Sequence, residues 1–386
     1  MAIDLDSARA TFESSVDFTV GIEEEFALLD PGTLDLAQRY EVLRAAAGAD
    51  PLLAQSVAGE LIASEIEIRS GRAQTLPAAF IAQRERRRAL FALAPSLDIA
   101  LGASGTHPWA DYREQRIIDT EHYRRVEQGL RYVAWRNNTF SLHVHVGVRG
   151  IDRAVQVCDR LREVLPALLA ISSNSPFLEG RDSGLHSARS QIFTRSFPRC
   201  GIPDAFGSSE AYLRYVEFLV LTGSIIEYTQ VWWSIRPHFT FGTVEVRICD
   251  AQPTAGESEA LAALIVACVA QAARDLDEGV PHVPQPPRMI EENVWRAIRY
   301  GLDGRMIDLG TGETFPTAAA ADRLLAWTAP VRSELGIEVS LPPANGSQRQ
   351  RALLTSGLSL QEVYAQHVAQ AAETYTMSSP NTVEAR

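Results

Sequence analysis

The chain has 386 residues, of which 46% are hydrophobic, so it is long enough to bury a large core as one or two domains. Its formal net charge of −12 disfavours nucleic acid as a partner, because phosphates attract basic surfaces. The sequence contains no lysine, which excludes a phosphate-binding P-loop and a pyridoxal Schiff base. We therefore expect any phosphate group to be bound by arginine or by metal ions.

Membrane and secretion signals are not expected from the sequence. It has no run of about 18 apolar residues, and the segment from Met1 to Ser15 lacks a basic stretch followed by an apolar one. The cysteines lie far apart and form no Cys-x-x-Cys motif; they are Cys158, Cys200, Cys249 and Cys268. This spacing predicts reduced, mostly buried thiols in a cytoplasmic protein.

The first predicted strand covers residues 18–29 and ends at the turn formed by Asp30, Pro31 and Gly32. Alternation places Glu23 and Glu25 on one face of this strand. Glu24 falls on the opposite, apolar face and breaks the pattern. A bulge, an edge position or a buried partner would each explain Glu24, and the sequence leaves these alternatives open.

A second alternating run lies within residues 60–71. Glu65, Glu67 and Arg69 share one face, and two isoleucines form the other. A helix is expected after Pro77, with the arginine-rich residues 84–88 mostly on its solvated face. A phosphate-binding patch is the alternative interpretation of these arginines.

A short buried strand is expected at residues 99–104, leading into a loop that contains Thr106 and His107. Helical residues follow near 112–133. The next predicted strand, 140–148, is the third alternating run. Its polar face carries Ser141, His143, His145 and Gly147.

A helix is expected at 151–172, and a loop at 172–189 that is rich in Ser, Asn, Gly and Arg, a composition found in linkers and in binding loops. Further helices are expected at 210–228, 257–276, 291–300, 319–335 and 348–374. The segment 376–386 is expected to be a disordered tail. Strands mix with helices without a βαβ rhythm, which favours an α+β fold.

The fourth alternating run, residues 243–250, is the clearest strand in the chain. Its apolar face consists of Val244, Val246 and Ile248. Its polar face is predicted to carry Thr243, Glu245, Arg247 and Cys249. A carboxylate and a guanidinium two residues apart therefore project from the same side.

The polar faces of these four runs would form one floor if the strands share an antiparallel sheet. Carboxylates that lie close together need protonation, arginine or a divalent cation to offset their repulsion. A site made mostly of carboxylates with few histidines suits Mg²⁺ or Mn²⁺ better than zinc. Each run alone is more typical of a solvated strand face, but four runs with apolar reverse faces favour a site for metal and phosphate.

Several short motifs occur in an order that resembles the type 2 glutamate–cysteine ligase family, the carboxylate–amine ligases of the glutamine synthetase-like superfamily. The resemblance extends from about residue 18 to beyond residue 300. The motifs are Gly21-Ile22-Glu23-Glu24-Glu25-Phe26, Gly105-Thr106-His107-Pro108, His143-Val144-His145-Val146-Gly147, Ser175-Pro176-Phe177 and Gly242-Thr243-Val244-Glu245-Val246-Arg247.

This resemblance implies an antiparallel sheet that forms an open barrel-like funnel flanked by helices, within a single catalytic domain spanning residues 1–375. It also implies on the order of two or three Mg²⁺ ions, with Mn²⁺ as an alternative, held between carboxylates and ATP. A homodimer is a further expectation of the resemblance.

The resemblance also implies roles for individual residues. The metal ligands would be Glu23, Glu25, Glu60, Glu67, His143 and Glu245. Arg247 would neutralise the transferred phosphoryl group, and His145 and Arg189 would bind ATP or its phosphates, although His143 and His145 could exchange roles. Thr106, His107 and Arg236 would bind substrate. For each of the two arginines, Arg189 and Arg236, a structural ion pair is the alternative, and for His107 the alternative is a residue that caps a turn.

The implied activity is amide formation through an acyl phosphate made from ATP and a carboxylate such as glutamate, which an amine such as cysteine then attacks. A guanidino kinase-like phosphotransferase is the first alternative, and it would form ADP without an amide. A metal-dependent hydrolase using His143 and His145 would need no ATP. A non-catalytic binding protein is the remaining alternative.

Overall fold

An antiparallel sheet of seven strands organises the part of the chain that the computed structural model describes, residues 5–376. The strands are β1 (Val20–Leu29), β2 (Val57–Ala58), β3 (Glu65–Arg69), β4 (Ala100–Gly102), β5 (Ser141–Gly147), β6 (Phe177–Leu178), β7 (Arg181–Asp182), β8 (Cys200–Gly201), β9 (Trp232–Trp233), β10 (Ile235–His238), β11 (Thr243–Asp250), β12 (Arg305–Ile307) and β13 (Thr314–Pro316). The helices are α1 (Leu5–Glu13), α2 (Tyr40–Ala47), α3 (Leu76–Ser96), α4 (Glu121–Leu130), α5 (Tyr132–Trp135), α6 (Ile151–Leu161), α7 (Leu165–Ser172), α8 (Ala188–Ser196), α9 (Ser209–Leu221), α10 (Ala255–Asp277), α11 (Pro287–Tyr300), α12 (Ala319–Trp327), α13 (Ala329–Leu335), α14 (Gly346–Thr355) and α15 (Leu360–Thr376).

The strand order of the sheet is β10, β11, β5, β1, β3 and β2, and β4 also pairs with β1. One edge of β1 pairs first with β5 and then, from Ala27 to Leu29, with β4. All these pairings are antiparallel. The predicted α+β class with an antiparallel sheet is therefore confirmed, while its curvature into a barrel-like funnel stays a prediction.

The register of the sheet brings the polar residues of separate chain segments side by side. Glu23 lies opposite His143, Glu25 lies opposite Glu67, and Glu245 lies opposite His145. Residues directly opposite on neighbouring antiparallel strands project from the same face. The four alternating runs therefore form one polar floor, as the sequence predicted.

The apolar face of the sheet is covered by helices. Valines of β5 and β11 pack in one large buried cluster with α6, α7 and α10. Phe26 and Leu28 of β1 pack in a second cluster with two isoleucines of β3, with α3 and with Tyr375 of α15. Because these helices occupy the apolar side, the polar face is left to form a cleft.

Glu24 projects into the apolar side, where it meets a buried partner. Arg87 of α3 donates to both carboxylate oxygens at 2.6 Å, and Gln83 donates at 2.7 Å. Burial alone would raise the pKa of Glu24, but the Arg87 guanidinium outweighs this effect and lowers it. Of the alternatives for Glu24, the buried partner is correct. The prediction that residues 84–88 lie mostly on a solvated face is wrong for Arg87, whose side chain is 1% exposed.

Strict alternation fails in the second half of β11. The pairing of β11 with β5 shifts between Val246 and Cys249, so that Cys249 lies opposite Leu142 and Asp250 opposite Ser141. A bulge of this kind adds a residue and reverses the faces beyond it. Cys249 therefore belongs to the buried apolar cluster instead of the polar face on which it was predicted.

Three long predicted helices are each divided in two. The predicted helix 151–172 is split into α6 and α7, and the prediction 319–335 into α12 and α13; proline occupies the first turn of α7 and of α13. The prediction 348–374 is split into α14 and α15 around Gly357, whose φ is +105°. The predicted loop 172–189 contains the β6–β7 hairpin.

No helix within residues 5–376 is both long and apolar enough to cross a membrane. The single domain over residues 1–375 stays a prediction. Apart from Thr376, the last residue of α15, the predicted tail 376–386 lies outside the described residues.

Candidate active site

A cleft of about 480 Å³ lies over the polar face of the sheet. All but two of the predicted site residues line it, and these are Glu23, Glu25, Glu60, Glu67, His143, His145, Arg189, Arg236, Glu245 and Arg247. Most of them project from β1, β3, β5, β10 and β11, whereas Glu60 lies on the loop between β2 and β3. The structure thus brings together residues that are more than 200 positions apart in the sequence.

His143 lies at the centre of the acidic part of the cleft. Its Nδ1 is 3.3 Å from Glu23 Oε2, and its Nε2 is 3.9 Å from Glu25 Oε1. Two trios of potential ligand atoms lie within 4.8 Å of one another, namely Glu23, His143 and Glu245, and Glu25, Glu67 and His143. Both trios include His143, which favours it over His145 as the histidine that would hold a metal ion.

Three carboxyl groups at one end of the cleft repel their neighbours. Burial and the nearby Glu25 raise the pKa of Glu60 to about 7. Burial and the negative charge of Glu25 raise the pKa of Glu65 well above its usual range. Burial and the negative charge of Glu23 do the same for the pKa of Glu67. Glu65 Oε2 has no hydrogen-bond partner among the described residues. A set of crowded oxygen donors with an unsatisfied atom fits a divalent cation.

Glu23 and Glu25 have compensating partners in the sheet. Burial alone would raise the pKa of Glu23, but His145 and His143 outweigh it and hold that pKa well below its usual range. Glu25 accepts a hydrogen bond at 2.6 Å from Ser141 Oγ and another from the Ser141 backbone N–H. Ser141 thereby fixes the orientation of the Glu25 carboxylate at the end of the β1–β5 pairing.

Glu245 is held by two arginines. Arg236 Nε donates to Glu245 Oε2 at 2.6 Å, and Arg247 Nη1 donates to Glu245 Oε1. Burial would raise the pKa of Glu245, but Arg236 and Arg247 outweigh this effect and lower it far below its usual range. Arg236 also donates to the carbonyls of Thr229 and Val231. Arg236 lines the cleft, but its contacts are those of a residue that orients Glu245.

His145 and Arg247 lie at the cleft wall, and each has a nitrogen that makes no hydrogen bond with the described part of the chain. His145 Nδ1 is 3.0 Å from Thr243 Oγ1, while its Nε2 lies 3.4 Å from Glu23 Oε1. Within the described residues, neither His145 Nε2 nor Arg247 Nε has a hydrogen-bond partner. Burial would lower the pKa of His145, but Glu23 and Glu245 outweigh it and raise that pKa. A guanidinium and an imidazole with a raised pKa suit an anionic ligand.

Thr106 and His107, predicted to bind substrate, do not line the cleft. Thr106 Oγ1 donates to the carbonyl of Phe177 at 2.9 Å. His107 Nε2 lies 2.8 Å from the carbonyl of Leu34, and its Nδ1 accepts from the backbone N–H of Ala110 at 3.0 Å. Both side chains are buried. Their contacts stabilise a loop, so we leave them out of the site.

The cleft also contains residues that the sequence did not assign to the site. Arg69 pairs with Glu67 at 3.0 Å. Its position on the polar face of β3 was the feature of the sequence that could have assigned it to the site. Tyr123 comes from α4, Trp232 from β9 and Phe241 from the turn before β11. These three project from segments without a clear polar alternation, so no sequence pattern identified them.

Comparison with known proteins shows which family the chain resembles. The family model of glutamate–cysteine ligase family 2 matches residues 19–366. A Rubrobacter xylanophilus protein provisionally named glutamate–cysteine ligase 2-2 is 40% identical over 347 residues, covering 89% of both chains. A Solibacter usitatus protein provisionally named glutamate–cysteine ligase 2 is 38% identical over 339 residues, covering 86% of this chain and 88% of the relative.

A solved structure shares the fold at much lower sequence identity. The glutamate–cysteine ligase of Francisella tularensis, crystallised in complex with AMP, superposes with a TM-score of 0.66. The match covers 94% of this chain and 90% of the other, at 12% identity. The chain therefore shares its fold with that structure.

Proposed function

The chain belongs to glutamate–cysteine ligase family 2 and is an ATP-dependent carboxylate–amine ligase, and we propose that it couples the side-chain carboxylate of glutamate to an amine such as cysteine. The observation that carries this proposal is the convergence of Glu23, Glu67, His143 and Glu245 on one cleft. No single segment of the chain supplies such a set.

The donor set fits divalent cations such as Mg²⁺, with Mn²⁺ as the alternative. Glu23, His143 and Glu245 would hold one ion, and Glu25 and Glu67, with His143 at their edge, a second. Glu60, half-buried beside Glu25 and Glu67, is available for a further ion. When bound, such ions offset the charge of nucleotide phosphates.

The chain's own residues have defined parts in the reaction. The γ-phosphoryl group of ATP is transferred to the substrate carboxylate, which gives an acyl phosphate and ADP. The amine nitrogen then attacks the carbonyl carbon, phosphate leaves, and the nitrogen loses a proton. Arg247 offsets the negative charge that develops on the transferred phosphoryl group, and His145 contacts nucleotide phosphate. Arg236 keeps Glu245 ionised and oriented.

Product analysis tests this function. The protein is incubated with ATP, Mg²⁺, glutamate and a panel of amines, and amide, ADP and phosphate are quantified by mass spectrometry and phosphate release. We expect the three products in equal amounts with at least one amine. ADP formation without an amide would instead support a phosphotransferase, and turnover that needs no ATP would support a hydrolase.

The proposal extends to the setting of the enzyme. We place it in the cytoplasm, where ATP is supplied and where Cys158, Cys200, Cys249 and Cys268, all unpaired, stay reduced. The homodimer implied by the family resemblance stays a prediction.

A further inference from the structure

A single guanidinium holds the irregular part of β11 from which Arg247 projects. Arg189 Nη1 donates to the carbonyl of Ile248 at 3.0 Å, and Arg189 Nη2 donates to the carbonyl of Arg247 at 3.1 Å. These two carbonyls lie within the bulge between Val246 and Cys249, where the strand register shifts. A bulge re-aims the side chain that it carries. The two hydrogen bonds therefore act on the backbone that orients Arg247.

The Arg189 side chain is itself held by buried partners. Its Nη1 lies 3.7 Å from Oδ1 of Asp250, a residue with no exposed surface. Asp250 accepts hydrogen bonds from Ser175 Oγ at 2.7 Å and from Ser187 Oγ at 2.8 Å. Ser187 also caps the N-terminus of α8, the helix that carries Arg189. The two loop segments that contain these serines are thus joined to the bulge through one arginine.

We propose that Arg189 is a positioning residue, which fixes the bulged backbone of β11 so that the Arg247 guanidinium points at the transferred phosphoryl group. This inference rests on the proposed function, because it presupposes the role of Arg247. It replaces the sequence-based expectation that Arg189 binds ATP or phosphate. Four hydrogen bonds of Arg189 and Asp250 serve this arrangement. Of the three guanidinium nitrogens of Arg189, Nε alone has no hydrogen-bond partner within the described part of the chain.

The two roles give different kinetics. Loss of a direct phosphate contact weakens ATP binding, so the KM for ATP rises. Loss of positioning leaves ATP binding unchanged and lowers kcat, because a displacement of about 1 Å in a catalytic group costs about 10²-fold in rate. We therefore expect Arg189→Met to lower kcat by about 10²-fold with little change in the KM for ATP.

Arg162 provides a matched control. Its side chain is also buried and donates to two backbone carbonyls, those of Pro203 at 2.7 Å and Gln285 at 3.1 Å, but it does not line the cleft. We expect Arg162→Lys to lower the melting temperature while kcat stays at the wild-type value. Arg189→Lys keeps a cation beside Asp250, but a lysine side chain cannot reach both carbonyls. It replaces Arg189→Met in the test if circular dichroism shows that Arg189→Met is unfolded.

A double-mutant cycle with Arg247→Met completes the test. If Arg189 acts through Arg247, adding Arg189→Met or Arg189→Lys to Arg247→Met leaves the residual kcat unchanged. Multiplied losses in the double variant, or a raised KM for ATP with kcat retained in the single Arg189 variant, would overturn the positioning role and leave the proposed function standing. Wild-type activity in Arg247→Met would overturn the role assigned to Arg247, and the positioning role of Arg189 with it, while the ligase activity itself would stand.

Discussion

Glu24 and Arg87 form an ion pair on the face of β1 that lies opposite the cleft, with side chains 4% and 1% exposed. The neighbouring residues Glu23 and Glu25 project into the cleft. The pair therefore fixes β1 from behind at the point where its other face carries two candidate metal ligands. Arg87 also pairs with Glu259 of α10 at 2.8 Å, so α3, α10 and β1 meet at this guanidinium.

Removing Arg87 should destabilise the protein strongly. Arg87→Met leaves Glu24 buried without its cation, a loss that typically costs about 3–5 kcal/mol. The free energy of unfolding in urea measures the effect. Arg124→Met removes an exposed arginine whose pair with Asp119 lies at the surface, and we expect a change within about 0.5 kcal/mol. Equal effects of the two substitutions would show that the buried pair does not stabilise β1.

Removing Glu67 should weaken metal binding. Glu67→Gln keeps the shape of the side chain but removes an anionic ligand from the trio formed with Glu25 and His143. We expect the Mg²⁺ concentration required for half-maximal activity, and the Kd for Mn²⁺ measured by electron paramagnetic resonance, to rise at least about tenfold. Glu85→Gln, at an exposed position of α3, should change neither quantity. An unchanged Mn²⁺ Kd in Glu67→Gln would remove this residue from the metal site.

Removing Arg247 should reduce catalysis more than stability. Arg247→Met deletes the guanidinium proposed to offset charge on the phosphoryl group, and loss of one such contact lowers kcat by about 10²- to 10³-fold. Glu245 keeps its 2.6 Å contact with Arg236, so we expect the free energy of unfolding to change by only about 1 kcal/mol. Steady-state kinetics and urea unfolding check both statements. A variant that loses its fold would assign Arg247 a structural role instead.

His107 should make stability depend on pH. Burial lowers its pKa to about 4, whereas an unfolded histidine has a pKa of about 6.5. Between these values the unfolded chain binds more protons, so stability is lost as pH falls through that window. His107→Gln preserves a donor and an acceptor without titrating. Between pH 7.5 and 5.5, wild type should lose about 1 kcal/mol more unfolding free energy than the variant; parallel pH profiles would contradict this.

Alternation and residue type predicted much of the fold and the site. Glu23, Glu67, His143 and Glu245 were placed on the polar faces of strands, and antiparallel pairing then put them together. Glu60 lies outside any strand, and only the family resemblance favoured it over Glu65 as the partner of Glu67. A period of two residues is enough to define a strand face when one side of the sheet is buried.

The rest depends on tertiary contacts that local patterns do not encode. The bulge in β11 moved Cys249 into the core, because register is set by the neighbouring strand. Arg87 belongs to an arginine-rich helical segment that looks solvated in the sequence, yet its side chain is buried because it pairs with Glu24. His107 resembles a pocket residue in sequence, but carbonyl and amide groups of nearby loops engage both its nitrogens.

The anomalous scattering of Mn²⁺ in crystals grown with a non-hydrolysable ATP analogue tests the central claim most directly. We predict Mn²⁺ peaks at coordination distance from His143, from Glu23 with Glu245, and from Glu25 with Glu67, with the nucleotide phosphates bound to the same ions. A nucleotide bound outside this cleft, or Mn²⁺ peaks that none of these side chains contact, would contradict it.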